Sequence, residues 1–185
     1  SPESIIFTGG ATQANNLAIR GAALRNAAKG KRLLASQIEH ISVLNPHKDL
    51  KKGGFELNLI PVDSTGRIDL SSLERLADKE TVLTSIMYAN GEIGTVQPIR
   101  EASDIVHDKG QLLHVDGTAA AGKIAVDVQK DGIDLFTLSS NDIYGPQGAG
   151  ALYVRPGLRI QPVLFGGGQE RGLLPGTENI YALAG

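Results

Sequence analysis

The sequence predicts an α/β fold, a mostly parallel sheet covered by helices on both faces. Three observations carry this. Short apolar runs of strand length recur along the chain, and segments with apolar residues at helical spacing separate them. The runs are apolar throughout, as strands buried on both faces are. Ligands in such sheets bind beyond the carboxyl ends of the strands, so residues just after those ends become the candidates for function.

Ser4 to Phe7 reads as the first strand. Ala14 to Ala28 has apolar residues at helical spacing (Leu17, Ala18, Ala22, Leu24, Ala28), which predicts a helix ended near Gly30. Arg32 to Ser36 is a second strand, and Ile41 to Lys52 a helix that Pro46 limits or kinks. Phe55 to Pro61 alternates apolar and polar residues, as a half-buried strand does. Asp69 is placed to cap a helix opening at Leu70. Thr81 to Met87 is a β-branched strand, and Ile99 to Lys109 an amphipathic helix closed by Gly110. Leu112 to Val115 is a strand ending on Asp116. Leu135 to Leu138 and Ala151 to Val154 complete the set.

The 185 residues suit one domain, and a hydrophobic content of 41% supplies a sizeable core. A net charge of −2 without a long run of either sign gives no reason to expect nucleic acid or a membrane surface as partner. No apolar stretch approaches the ~18 residues of a membrane span, and no signal-peptide pattern opens the chain. The absence of cysteine excludes disulfides and thiolate metal sites within these residues; no metal site is expected, and the composition fits the cytoplasm. The chain opens one turn before a strand and closes at Gly185 in the start of a helix, so it reads as an excised or reduced domain.

Five segments follow predicted strands. In Thr8-Gly9-Gly10-Ala11-Thr12-Gln13-Ala14-Asn15-Asn16, the amides of a helix N-terminus and a threonine hydroxyl would suit a phosphate, although a glycine turn there is commonly only a turn. His40, in Ile38-Glu39-His40, is a lone histidine, of the kind that is often structural; it is still the one of the four histidines singled out. His47 and His107 lie in helical patterns and read as surface residues. Asn90-Gly91-Glu92-Ile93-Gly94 has the composition of a glycine turn. Asp116, in His114-Val115-Asp116-Gly117-Thr118-Ala119, stands where an aspartate could be a helix cap or a metal ligand. The fifth segment is Ser139-Ser140-Asn141-Asp142-Ile143-Tyr144-Gly145-Pro146. Further on, Gly166 to Gly172 precedes Gly176-Thr177-Glu178-Asn179.

Together these segments resemble the cysteine desulfurase family, class V aminotransferase-like enzymes of fold-type I that depend on pyridoxal 5'-phosphate (PLP) and draw sulfur from L-cysteine for iron–sulfur cluster assembly. The fifth segment is similar to the family's Ser-Gly-His-Lys-Ile-Tyr-Gly-Pro, whose lysine joins its amine to PLP. Asp142 stands at that lysine and Asn141 at the histidine before it. The resemblance implies Ala11, Thr12 and Ser139 for the phosphate, His40 for stacking on the ring and relaying a proton, and Asp116 for the ring nitrogen. Asn90 matches an asparagine of the family's Asn-Asn-Glu-Ile-Gly, in which Gly91 replaces the second. Ala119 stands where the family often has a glutamine that contacts the ring's phenolic oxygen. Thr177 matches a threonine that reaches the phosphate of the neighbouring subunit, which implies a homodimer. Leu174-Pro175 replaces an Arg-Ser pair.

The resemblance runs from about Ser4 to Gly185. It implies a PLP-dependent transferase large-domain-like three-layer sandwich, one cofactor-binding domain over 1–185, without the family's amino-terminal segment or small carboxy-terminal domain. A carboxylate cannot form an imine, and no cysteine is present to accept sulfur. The expectation is therefore a pocket that holds PLP or pyridoxamine phosphate noncovalently at best, with cysteine as a further small-molecule candidate, and no desulfurase activity. Two readings from other classes stand beside it. One is a non-catalytic scaffold that binds an iron–sulfur assembly protein or an active subunit, which an exposed apolar patch would favour. The other is a minimal or redesigned domain without activity, favoured by the coincident changes at Gly91, Ala119, Asn141 and Asp142.

Overall fold

A computed structural model describes residues 2–185. Among them, seven strands form one sheet: β1 (Ile5–Thr8), β2 (Arg32–Ser36), β3 (Glu56–Ile60), β4 (Thr81–Met87), β5 (Leu112–Asp116), β6 (Leu135–Ser139) and β7 (Gly150–Val154). Their order is β1-β7-β6-β5-β4-β2-β3. From β6 through β3 all pairings are parallel, whereas β7 runs antiparallel to both β6 and β1. All seven expected strands form, with ends shifted by a residue or so.

The helices are α1 (Ala11–Asn26), α2 (Ile41–Lys52), α3 (Leu70–Leu76), α4 (Ile99–Asp108) and α5 (Ile180–Ala184). The first helix begins three residues before the apolar pattern predicts, directly after Gly10, whose φ of 137° turns the chain sharply out of β1. Pro46 lies inside α2 without ending it. Asp69 caps α3 as expected, its carboxylate accepting the Ser71 amide at 3.0 Å.

Two apolar layers result. Leu17, Ala18 and Ala22 of α1 and Val43 and Leu50 of α2 pack with Leu33, Leu83 and Leu135 on one face. Leu73 of α3 and Ile99, Ala102 and Val106 of α4 pack with Leu34, Ile86, Leu113 and Phe136 on the other. Successive strand residues point to opposite faces, so Leu33 and Leu34 serve different layers, as do Leu135 and Phe136. Each such side chain is worth about 1.5–3 kcal/mol when fully buried.

His47 is not a surface residue: it is fully buried. It recurs at helical spacing with Val43 and Leu50 and so belongs to the sheet-facing side of α2. Its Nδ1–H donates to the Val43 carbonyl at 2.8 Å, which leaves Nε2 to accept from Ser85 Oγ at 3.3 Å. Ser85 Oγ in turn accepts from His114 Nδ1–H at 3.1 Å, and His114 Nε2 accepts from the Thr137 hydroxyl at 3.1 Å. In this arrangement of donors both imidazoles are neutral. Burial holds His47 down to about 4 and His114 to about 3, with the neighbouring His47 a further cause for His114. His107 is exposed as expected, and its Nε2 meets the buried Asp134 carboxylate at 2.9 Å.

These neutral imidazoles make the fold sensitive to mild acid. The unfolded chain takes up protons below about pH 6.5 that the native chain refuses, so stability is lost as pH falls through that value. Glu39, described below, acts in the opposite direction over the same window, so the test is a difference. Urea unfolding of the parent and of His47→Gln at pH 7.5 and pH 5.0 should show the parent losing on the order of 2 kcal/mol more than the variant. Equal losses would mean that His47 is charged, or solvated, in the folded state.

Candidate functional site

Because β2, β4, β5 and β6 run parallel, the loops that follow them gather at one edge of the sheet. The start of α1 joins them there, since β1 runs antiparallel to β7 and β7 antiparallel to β6. Two open cavities lie along this edge. The first, of about 790 Å³, is lined by Gly9, Gly10, Ala11, Thr12, Ser139, Asn141 and Asp142, with Arg20 also on its wall. The second, of about 390 Å³, is lined by Glu39, His40, Asn90, Glu92, Asp116 and Asp142, with Gly91 and Ala119 beside them. Asp142 is common to both.

The first cavity has the character of an anion cradle. No side chain caps α1, so its first-turn amides remain free for a ligand, and the exposed Thr12 sits among them. Buried Ser139 ends β6, and its hydroxyl donates to Asn141 Oδ1 at 2.6 Å, which fixes the turn that carries Asp142. Tyr144 closes that turn in the left-handed region, with φ of 66°. Asp142 itself is half-exposed; its one hydrogen bond is from the Asn141 side-chain amide at 3.4 Å, and it has no ion pair among the described residues.

The second cavity is built on Asp116, 5% exposed at the end of β5. One carboxylate oxygen accepts the Thr118 amide at 3.1 Å and the Thr118 hydroxyl at 2.8 Å. The other accepts the Asn15 side-chain amide at 2.9 Å. That amide also donates to Ser42 Oγ at 2.9 Å, and Ser42 lies 2.7 Å from His40 Nδ1. His40 is the N-cap of α2, with Nδ1 accepting the Ser42 amide at 3.1 Å, so Nε2 is its free nitrogen. The structural reading of His40 therefore holds: it caps α2. Gly117 must be glycine: a Cβ there would lie 1.9 Å from the Phe136 ring. Gly91 and Ala119 adjoin, since a Cβ on Gly91 would meet that of Ala119 at 3.6 Å.

The two cavities bring together Ala11, Thr12, His40, Asn90, Asp116, Ser139, Asn141 and Asp142. Thr177 is not among them. It lines a separate cavity with Phe7, Gly9 and Glu178. Sequence reasoning passed over Asn15, Ser42 and Glu39, although Asn15 and Glu39 lie inside segments it quoted. Glu39 is 6% exposed; one oxygen accepts from Ser36 Oγ at 2.7 Å and from the Met87 amide at 2.6 Å, while the other, Oε2, has no partner. Burial pushes this carboxyl up to about 8, and the Asp116 charge adds to the effect against the pull of the two hydrogen bonds.

The family model for class-V aminotransferases matches residues 1–181. A cysteine desulfurase IscS 1 of Archaeoglobus fulgidus is 56% identical over 181 residues, which are 98% of this chain and 47% of that protein. A cysteine desulfurase IscS of Dictyoglomus turgidum is 44% identical over 99% of this chain and 46% of its own length. Among solved structures, a NifS-like protein superposes with a TM-score of 0.95 at 39% identity, covering 99% of this chain and 51% of the other. The chain spans about half the length of the curated relatives it matches. It belongs to the aminotransferase class-V family, whose members depend on PLP.

The buried Glu39 carboxyl gives a further pH test. Its folded value lies above the unfolded one, so its contribution is present at low pH and is lost as pH rises toward about 8. Glu39→Gln keeps an acceptor for Ser36 and Met87 and cannot ionise. Between pH 5 and pH 8 its unfolding free energy should gain on that of the parent by on the order of 3 kcal/mol. A constant gap would show that the Glu39 carboxyl is ionised throughout this range.

Proposed function

We propose that this member of the family is the cofactor-binding, large domain of a cysteine desulfurase-like protein, one that holds a PLP-type cofactor without a covalent bond and does not itself release sulfur from L-cysteine. The observation that carries this is Asp142, a carboxylate on the shared wall of the two cavities. The free amides of α1 with Thr12 suit the phosphate, and Asp116 suits a protonated ring nitrogen. The aldehyde does not fit, because the Asp142 side chain has no amine to offer it.

When bound, PLP supplies an electron sink for negative charge developing on a neighbouring carbon. The protein's share follows from its own atoms. Asn15 and Thr118 hold the Asp116 carboxylate in place, where it can pair with a protonated ring nitrogen. Ser42 fixes the His40 ring through Nδ1 and leaves Nε2 to face solvent or a ligand. Ser139 holds Asn141 and with it the turn. Asp142 can accept a proton or pair with a cation but cannot act as the covalent anchor, and no thiol is present in these residues to take sulfur. Loss of an essential nucleophile costs orders of magnitude in rate.

The resemblance at Thr177, which lines a cavity adjoining the phosphate cradle through Gly9 and Gln13, supports a homodimer in which it serves the partner. The competing reading, a scaffold for an iron–sulfur assembly protein, draws on exposed Tyr144, Phe165 and Tyr181, each 85% exposed or more. The cytoplasm is the compartment that either reading implies; among the described residues no helix is long and apolar enough to cross a membrane.

PLP titration tests the proposal. Saturating PLP should raise the melting temperature by on the order of 5 °C while borohydride fixes no adduct, since a ligand bound only to the folded state stabilises it. Asp142→Lys should gain a protein-bound absorption band near the visible edge that borohydride fixes, without sulfur release from cysteine. No melting shift in the parent together with no band in the variant would sink the pocket and leave the scaffold reading.

A further inference from the structure

The two cavities differ in charge. The first has the α1 N-terminus and Arg20 on its wall, although Arg20 is ion-paired with Asp49. The second is lined by the carboxyl groups of Glu39, Glu92, Asp116 and Asp142 and by no lysine or arginine. Acidic residues on a wall are not in themselves a site. Here a second feature points to a ligand: Glu39 is more than nine-tenths buried, lines the cavity, and leaves Oε2 without a hydrogen-bond partner. A buried oxygen left in that state is costly unless something else satisfies it.

The first cavity suits an anion and the second, with Asp116 and Asp142 on its wall, a cation, so a ligand spanning both would be anionic at one end and cationic at the other. A metal ion does not meet the description, because among the described residues no three His, Asp or Glu side chains come together as a ligand set. The cation is therefore organic. Asp142 identifies where it lies: its carboxylate borders both cavities, has no ion pair, and is bound by one long hydrogen bond. A neutral donor beside it would gain an ordinary hydrogen bond, and an anionic group would be repelled. An ammonium there would make a charge-assisted hydrogen bond.

We propose that the cavity selects the amine form of the cofactor, pyridoxamine 5'-phosphate, over forms without the amine, with Asp142 as the counter-ion of the ammonium group. This rests on the site reading above, with the phosphate at the α1 N-terminus and the ring nitrogen at Asp116. It adds a preference that the reading alone does not contain. The loss of the lysine then becomes a change of ligand: the ammonium comes with the small molecule and the carboxylate from the protein.

Calorimetric titration with pyridoxamine 5'-phosphate and with pyridoxine 5'-phosphate separates the two claims, because these ligands share ring and phosphate and differ only in amine against hydroxyl. In the parent the amine should bind about tenfold to a hundredfold more tightly. Asp142→Asn and Asp142→Ser should bring the ratio to about threefold or less, with the pyridoxine phosphate affinity unchanged or improved and circular dichroism that of the parent. Equal affinities in the parent would overturn the amine preference and leave the site reading intact. A preference that persists in both variants would also overturn it, by removing Asp142 from its cause. Binding of neither ligand would overturn the inference and the site reading together.

Discussion

Five adjacent strands, from β6 to β3, run parallel, and the arrangement of the molecule follows from that constraint. Parallel strands need crossovers, and right-handed crossovers lay helices over both faces. Both faces of the sheet are then sealed, which is why every residue of β4 is buried. Sealing has a consequence for polar side chains on the strands, which can find partners only among themselves. Ser85, His114 and Thr137 do so with His47 from α2, and burial keeps both imidazoles neutral. The same constraint sends the strands' carboxyl ends to one edge, and there Asp116, Ser139 and the N-cap His40 come together from distant parts of the sequence.

At that edge the electrostatics are divided. Two acids lie close enough to influence each other. Asp116 accepts three hydrogen bonds from Asn15 and Thr118. Glu39 is buried beside it with one oxygen unmatched and keeps its proton to about pH 8. A carboxyl group so deeply buried keeps its proton into the range where an exposed one has lost it. The division arises from the fold: Glu39 joins the ends of β2 and β4 through Ser36 and the Met87 amide, and so it is placed by strand geometry as much as by any ligand.

How much of this was legible beforehand follows from what each inference needed. Most strands were readable because burial on both faces leaves a short, largely apolar run, β3 because it alternates apolar and polar residues, and α3 because Asp69 announces its start. The start of α1 was less so, since its first turn is polar and belongs to the ligand-facing edge, where hydrophobic periodicity carries no information. His47 was misread for a related reason. Its spacing with Val43 and Leu50 put it in the core, but a polar side chain was taken at face value, and its partner Ser85 is 38 residues away. The site motifs were legible as short segments after strands. Asn15, Ser42 and Glu39 were not, because their importance lies in hydrogen bonds across 27 to 101 residues of sequence.

Several of the residues that mark the site also have structural work, and this decides what their presence means. His40 caps α2. Asp116 ties the end of β5 to α1 through Asn15 and starts the next turn through Thr118. Ser139 pins the turn after β6 through Asn141. Each would be retained by a chain that bound nothing, because replacing it would expose an unmatched buried group or an uncapped helix. Asp142 is different. It caps nothing, its single hydrogen bond is from its immediate neighbour, and it stands on the common wall of both cavities. Stability gives no reason for a carboxylate there, and the fold gives no reason against an amine. On the proposed reading, residue 142 answers to what occupies the cavities, and it is the position at which covalent attachment of PLP would be lost.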